Sequence, residues 1–281
     1  MGERSMIESG ISVQDVTVIY RNGHTALREV NFENPIGSIA ALVGVNGSGK
    51  STLFKAIMGF VQPSKGKIRI LGLPVKKALK QNLIAYVPQS EDVDWDFPVL
   101  VEDVVLMGRY GHMNFFRYAR AQDREAVRSA LERVDMLAFA KRQIGELSGG
   151  QKKRVFLARA LAQEAKAILL DEPFTGVDVK TEDKIITLLQ DLRKEGAIIL
   201  VSTHNLSSVF EFCDRTVLIK GTVLASGLTQ MVFTQKNLER TFDGTLHRHN
   251  IDFQGRKKDN IFSDGEEPLF FGCNRERKHV S

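Results

Sequence analysis

Two cysteines and one tryptophan are all that the 281 residues hold of those types. Cys213 and Cys273 are far apart and form no C-x-x-C pair. That spacing excludes a disulfide framework and a zinc ribbon and suits a reducing cytosol. No apolar run reaches the roughly 18 residues that a membrane-spanning helix needs. The opening MGERSMIESG lacks the apolar core of a secretory signal. The chain is therefore expected not to cross a membrane by itself. Charge of either sign is also modest, with a net +5 and a pI near 9.1. That balance would suit a polyanion or an anionic membrane surface, but it is mild and reads rather as a solvated basic surface; no nucleic-acid partner is expected.

What is present centres on residues 44–52, GVNGSGKST, directly after the apolar run 39–43 and before LFKAIMGF. The string fits G-x-x-x-x-G-K-[ST], a phosphate-binding loop between a strand and a helix. Its glycines let successive amides turn inward toward phosphate oxygens, and the helix adds the positive end of its dipole. Lys50 supplies a mobile charge for the β- and γ-phosphates, and the Ser51 hydroxyl is placed to ligate Mg²⁺. Gly44, Val45, Asn46, Gly47, Ser48, Gly49, Lys50, Ser51 and Thr52 are thus the candidate residues for binding a nucleoside triphosphate. No Asn/Thr-Lys-x-Asp string accompanies them, so a guanine nucleotide lacks support.

Upstream, 11–20 and 26–35 alternate β-branched and polar residues around Asn22-Gly23, predicting an antiparallel hairpin. Tyr20 closes its first strand, where the ring could either pack or stack on a base. Strands are predicted over 67–71 and 83–87, the second ending at Pro88-Gln89. Residues 90–118 then turn acidic and aromatic. They read either as the start of a helical insertion packed through Val101, Val104, Val105 and Gly108, or as a docking surface carrying Trp95, Phe97, Tyr110, Phe115 and Phe116. We expect docking. An amphipathic helix is predicted over 123–137, with Val127, Ala130, Leu131 and Val134 on its core face.

Ser148, Gly149, Gly150 and Gln151 open a further helix, as an N-cap or as a second anion site. The buried strand 167–170 then ends in Asp171-Glu172, an arrangement suited to holding Mg²⁺ through Asp171 and to orienting or deprotonating water through Glu172. Asp178 lies in the following turn, a helix is predicted over 181–193, and the strand 197–201 leads into His204, at the end of a sheet where ligands bind. A closing hairpin is predicted over 216–225. Residues 245–281 lose this periodicity and read as a partly disordered tail. The tail's His247, His249 and His279, with Cys273, are too irregularly spaced to argue for a metal site.

In this order and spacing, residues 44–52, Gln89, 147–151, Asp171-Glu172, Asp178 and His204 resemble an ABC-type ATPase. The resemblance spans about residues 11–244, with a helical insertion at about 90–160. Within 86–112, YVPQSEDVDWDFPVLVEDVVLMGRYGH, and in EPFTGVD and STHN, the chain is similar to subunits that energise bacterial manganese and iron uptake. The resemblance implies an α/β P-loop ATPase with a mainly parallel core sheet, an antiparallel β subdomain and a helical signature subdomain. It implies a head-to-tail dimer that sandwiches ATP and Mg²⁺. Glu172 would be the base and His204 a γ-phosphate contact. Gln89 would link Mg²⁺ to the membrane subunit, Ser51 and Asp171 would complete the Mg²⁺ ligands, and Tyr20 would stack on the base. Ser148, Gly149, Gly150 and Gln151 would act on the other copy's ATP, and Asp178 would make a contact across the dimer. Implied partners are polytopic permease subunits and a separate solute-binding protein, on the cytoplasmic face of the plasma membrane. Asn205 departs from the Asp that many relatives place after the histidine. A soluble assembly scaffold, for example in iron–sulfur cluster building, is the competing reading.

Overall fold

A computed structural model describes residues 9–89 and 98–242. The strands are β1 (Ser9–Ile19), β2 (Thr25–Pro35), β3 (Ser38–Val43), β4 (Lys65–Ile70), β5 (Leu73–Pro74), β6 (Ile84–Val87), β7 (Ala167–Asp171), β8 (Ile198–Thr203), β9 (Arg215–Ile219) and β10 (Val223–Leu228). The α-helices are α1 (Lys50–Ile57), α2 (Val75–Lys80), α3 (Val101–Leu106), α4 (Ala121–Arg133), α5 (Gly149–Ala162), α6 (Val179–Lys194), α7 (Leu206–Phe212), α8 (Thr229–Val232) and α9 (Gln235–Thr241).

The described strands form two sheets. One is antiparallel, in the order β2-β1-β4-β5, and the other runs β10-β9-β3-β8-β7-β6. In the second sheet β6, β7, β8, β3 and β9 are mutually parallel, and only β10 runs against its neighbour. Strand β3 is buried at every residue because both of its faces are covered, which is why it reads as a continuous apolar run rather than an alternating one. Its side chains divide by the pleat. Ile39, Ala41 and Val43 join a core with α3 to α6, while Ala40 and Leu42 join a core with α1 and the antiparallel sheet. Buried Asn34 ties the layers together, its amide donating to the Ile199 carbonyl at 3.0 Å while its oxygen accepts from Ser38 at 2.6 Å.

Helices α3, α4 and α5 pack together as the insertion between β6 and β7. Val101, Val104 and Val105 of α3 and Val127, Ala130 and Leu131 of α4 are buried there; fully burying a Val or Leu side chain is worth about 1.5–3 kcal/mol. Helix α4 stops at Arg133, short of the predicted 137. Asp135 takes a left-handed φ of 55°, and the Met136 amide returns to the Leu131 carbonyl at 2.8 Å. This is a Schellman-type ending with Asp where Gly is usual. Residues α7 to α9 had no counterpart among the predicted elements. Trp95 and Phe97 of the expected docking surface, and the tail 245–281, lie outside the described residues.

Candidate active site

Strand β3 delivers the chain into the loop at Gly44. A Cβ there would collide with the Ile219 carbonyl on β9 and meet the Ser48 hydroxyl at 2.5 Å. Gly49 has φ 102°, and a Cβ on it would lie 2.6 Å from Leu27. The loop's path therefore depends on both positions lacking a side chain. Gly49 precedes α1, leaving the first amides of that helix directed at the loop. The Lys50 ammonium folds into the loop, donating to the carbonyls of Gly44 at 2.7 Å and Val45 at 3.2 Å. Burial pushes its pKa down, and the carboxylates of Glu172 and Asp171 oppose that shift.

A cavity of about 560 Å³ opens over this loop. Tyr20, Gln89, the adjacent pair Asp171 and Glu172, and His204 reach it from four separate segments, along with every residue of the loop from Gly44 to Thr52. Half-buried Tyr20 is held by a 3.0 Å hydrogen bond between its hydroxyl and Thr52 of α1. The Ser48 hydroxyl is buried without a hydrogen-bond partner among the described residues. An orphaned donor of this kind fits an oxygen-rich anion in the cavity.

The carboxylate pair is built by the pairing of β7 with β8, which sets Asp171 opposite Ser202. Asp171 accepts a short hydrogen bond from the Ser202 hydroxyl and a second from the Tyr86 hydroxyl at 3.3 Å. Tyr86 stands edge-on to Phe54 of α1, so the loop helix and the strand leading to Gln89 both brace that carboxylate. Ser51, Gln89 and Asp171 contribute hard oxygen donors to one cavity, the donor chemistry that Mg²⁺ prefers.

Glu172 leaves β7 in a left-handed conformation, φ 50°. An L-residue adopts that conformation at a cost of order 1–3 kcal/mol unless its surroundings fix it. Here the amide donates to the Ser202 carbonyl at 3.1 Å and the Ser202 hydroxyl at 3.2 Å, and the carbonyl accepts from Lys153 at 3.1 Å and from the Thr175 amide at 3.3 Å. The carboxylate is 7% exposed as a residue and pairs with His204 Nδ1 at 2.8 Å. A buried carboxylate held by an imidazole at the edge of a phosphate loop has the geometry of a group that receives a proton from water.

Ser148, Gly149, Gly150 and Gln151 do not line this cavity. They form the start of α5, where Ser148 accepts from the Gln151 amide at 3.3 Å and its own amide donates to the Gln151 side chain at 2.9 Å. Ser148 is thus an N-cap, as one sequence reading had it, and it is exposed. Asp178 caps α6 through Thr181, at 3.0 Å to its amide and 2.7 Å to its hydroxyl. Those bonds hold the Asp178 carboxyl below the usual range. Several residues at or beside the site escaped the sequence reading: Ser202, Tyr86 and Lys153 behind the carboxylates, and His24, Ala26 and Phe242 on the cavity wall, the last from the end of α9.

Among the described residues no cluster of three His, Cys, Asp or Glu side chains is arranged to hold a metal ion. Nor is any helix among them long and apolar enough to cross a membrane. The ABC transporter family matches residues 27–175. Over 277 residues the chain is 58% identical to the chelated iron transport system membrane protein YfeB of Yersinia pestis, covering 96% of this chain and 94% of that one. Over 234 residues it is 62% identical to the manganese transport system ATP-binding protein MntA of Synechocystis, covering 83% and 90%. Among solved structures it resembles an inward-facing transporter described as metal-chelate type, with TM-score 0.74, 32% identity, and 84% and 89% of the chains covered. It also resembles a dimeric post-hydrolysis ATP-binding cassette bound to ADP and Pi, with TM-score 0.67, 28% identity, and 78% and 98% covered. With the phosphate loop, the carboxylate pair and the helical insertion in one arrangement, this chain belongs to the ABC transporter family, as an ATP-binding cassette.

Proposed function

We propose that this chain is the ATP-hydrolysing subunit of a bacterial importer of divalent metal, manganese and/or iron. It works as a head-to-tail dimer on the cytoplasmic face of the plasma membrane, with polytopic permease subunits and a separate solute-binding protein as partners. The observation that carries the metal assignment is the 58% and 62% identity to relatives named for chelated iron and manganese transport. Support for the shared site comes from α5, whose exposed start lies away from its own phosphate loop.

In the reaction, the loop amides and Lys50 take the β- and γ-phosphates, Lys50 exchanging carbonyl partners for phosphate oxygens. Tyr20 offers a ring to the base. Ser51, Asp171 and Gln89 would hold Mg²⁺, which would supply positive charge to the phosphate oxygens. Glu172 orients a water against the γ-phosphorus and accepts its proton as the bond to the ADP oxygen breaks. His204 contacts the γ-phosphate and holds the Glu172 carboxylate in place. Ser148, Gly149 and Gly150 of the second copy, with Gln151 fixing that helix start, close over the same phosphate, and Asp178 contacts the other copy. ATP thereby bridges two subunits, and its hydrolysis removes the bridge. Gln89 connects this change to the permease.

Two measurements test the reading. Cells with and without the chain should differ in uptake of radioactive Mn²⁺ or Fe²⁺; equal uptake of both removes the transport assignment. Glu172→Gln should bind ATP, accumulate a dimer and lose turnover by a factor of 100 or more, on the order expected for a general base. Wild-type turnover in that variant would remove Glu172 as the base.

A further inference from the structure

Helix α5 places its first two turns differently relative to the site. Its first turn, at Ser148 and Gly149, is exposed and does not line the cavity of its own chain. One turn further on, Lys153 leaves the same helix in the other direction and donates from Nζ to the Glu172 carbonyl at 3.1 Å. Lys153 is half-buried, and the desolvation of its ammonium is opposed chiefly by the Glu172 charge. The Glu172 carbonyl belongs to the residue with φ 50°, whose other restraints come from Ser202 on β8 and Thr175. Lys153 is the one among these restraints that comes from the helical insertion.

We propose that Lys153 is a positioning residue for Glu172, tying the carboxylate of one ATP site to the helix whose N-terminus serves the other site. This deepens the proposed function and rests on its reading of Glu172 as the base and of α5 as acting on a second copy. The physical reason is leverage. The peptide on the C-terminal side of Glu172 fixes ψ, and with φ already left-handed, a small rotation there swings the carboxylate away from His204. A charge-assisted hydrogen bond to that carbonyl restrains the rotation. Because its donor sits on α5, the restraint holds only while the helix is seated against β6 of the core sheet. A second copy's ATP that draws the α5 N-terminus into place would therefore also align the base of the first copy, without any contact between the two nucleotides.

The test uses the purified full chain and steady-state ATP hydrolysis. Lys153→Met keeps the aliphatic stem and removes the donor. It should lower kcat about tenfold or more, the effect of losing a hydrogen bond from a charged group, and leave KM unchanged. Lys153→Arg should restore kcat to within about threefold, since a guanidinium also donates with charge. Should Met at this position fail to fold, Lys153→Gln is one bond shorter and uncharged, and it should show the same loss. In a Glu172→Gln background, Lys153→Met should leave ATP-driven dimer formation unchanged, because only the base has lost its restraint. Undiminished kcat in Lys153→Met, or an Arg variant no better than Met, overturns the proposal. So does a fall in dimer formation as large as Ser148→Arg produces, which would make Lys153 a packing residue of α5. Turnover in Glu172→Gln itself would instead overturn the reading of the base, and is scored separately.

Discussion

The Ser202 hydroxyl stands between two functional groups, donating to the Asp171 carboxylate while accepting from the Glu172 amide at 3.2 Å. It is fully buried, on the strand beside the one that ends in those carboxylates. Ser202→Ala therefore leaves a buried carboxylate oxygen short of a donor, which costs about 1–3 kcal/mol. Urea unfolding should register that loss. On the proposed role of Asp171, the magnesium concentration giving half-maximal ATP hydrolysis should rise several-fold, because a less constrained carboxylate would be a poorer ligand. Ser202→Thr keeps the hydroxyl and should recover most of both. An unchanged magnesium dependence in Ser202→Ala would show that Tyr86 alone orients the carboxylate.

Sequence reasoning reached the parts of this site whose chemistry is local. A phosphate loop is a contiguous string because its amides must curl around one anion, so residues 44–52 were readable as a unit. The carboxylates and His204 were readable because strand ends in parallel sheets announce themselves by apolar runs. Ser202, Tyr86 and Lys153 were not. Each acts across strand or helix packing, and neither a serine before Thr203 nor a tyrosine within a strand declares which neighbour it will face. Helices α7 and α9 were missed for a related reason. At seven residues each they are too short to show a helical period clearly.

The exposed start of α5 leads to a complementation experiment. Dimers pairing a Ser148→Arg copy with a Glu172→Gln copy should retain one working site, since both changes fall on the same composite site. Dimers pairing a Ser148→Arg/Glu172→Gln double variant with a wild-type copy should be inactive, because each composite site then carries one defect. Hydrolysis by affinity-purified mixed dimers separates the two cases. Self-contained sites would give the reverse order, with the second pairing keeping about half of wild-type activity, since one of its two copies is intact.

Phe115 and Phe116 are 94% and 72% exposed and lie against each other edge to face, with Tyr118 stacked on Phe116. Exposed rings in such a group favour a partner surface over a role in the fold. Phe115→Ala/Phe116→Ala should change folding stability by no more than about 0.5 kcal/mol, as surface substitutions do. ATP hydrolysis by the isolated chain should also be retained. Metal uptake by cells should fall strongly. Equal loss of hydrolysis and uptake would return these rings to a packing role.

Arg109 and Asp123 make the buried ion pair that joins the insertion together. Arg109 Nε lies 3.1 Å from Asp123, and its Nη1 also donates to the Ala162 carbonyl at 2.9 Å and to Glu164 at 2.7 Å. Asp123 in turn accepts from the Arg120 amide at 3.0 Å, at the start of α4. That amide, and then the guanidinium, hold its carboxyl below the usual range, against the opposing effect of burial. A depressed folded pKa means that the stabilisation is complete above the ordinary Asp value. It is lost as pH falls through the folded value. Removing one partner strands the other, so Asp123→Ala should cost about 3–5 kcal/mol. Asp123→Leu combined with Arg109→Met should cost less than the sum of the single changes. Asp123→Asn should flatten the acid limb of the stability curve relative to wild type. Chemical denaturation from pH 7 down to about pH 2, which passes below the ordinary Asp value, measures all three. Parallel acid limbs in wild type and Asp123→Asn would show that this carboxylate takes no part in the acid dependence.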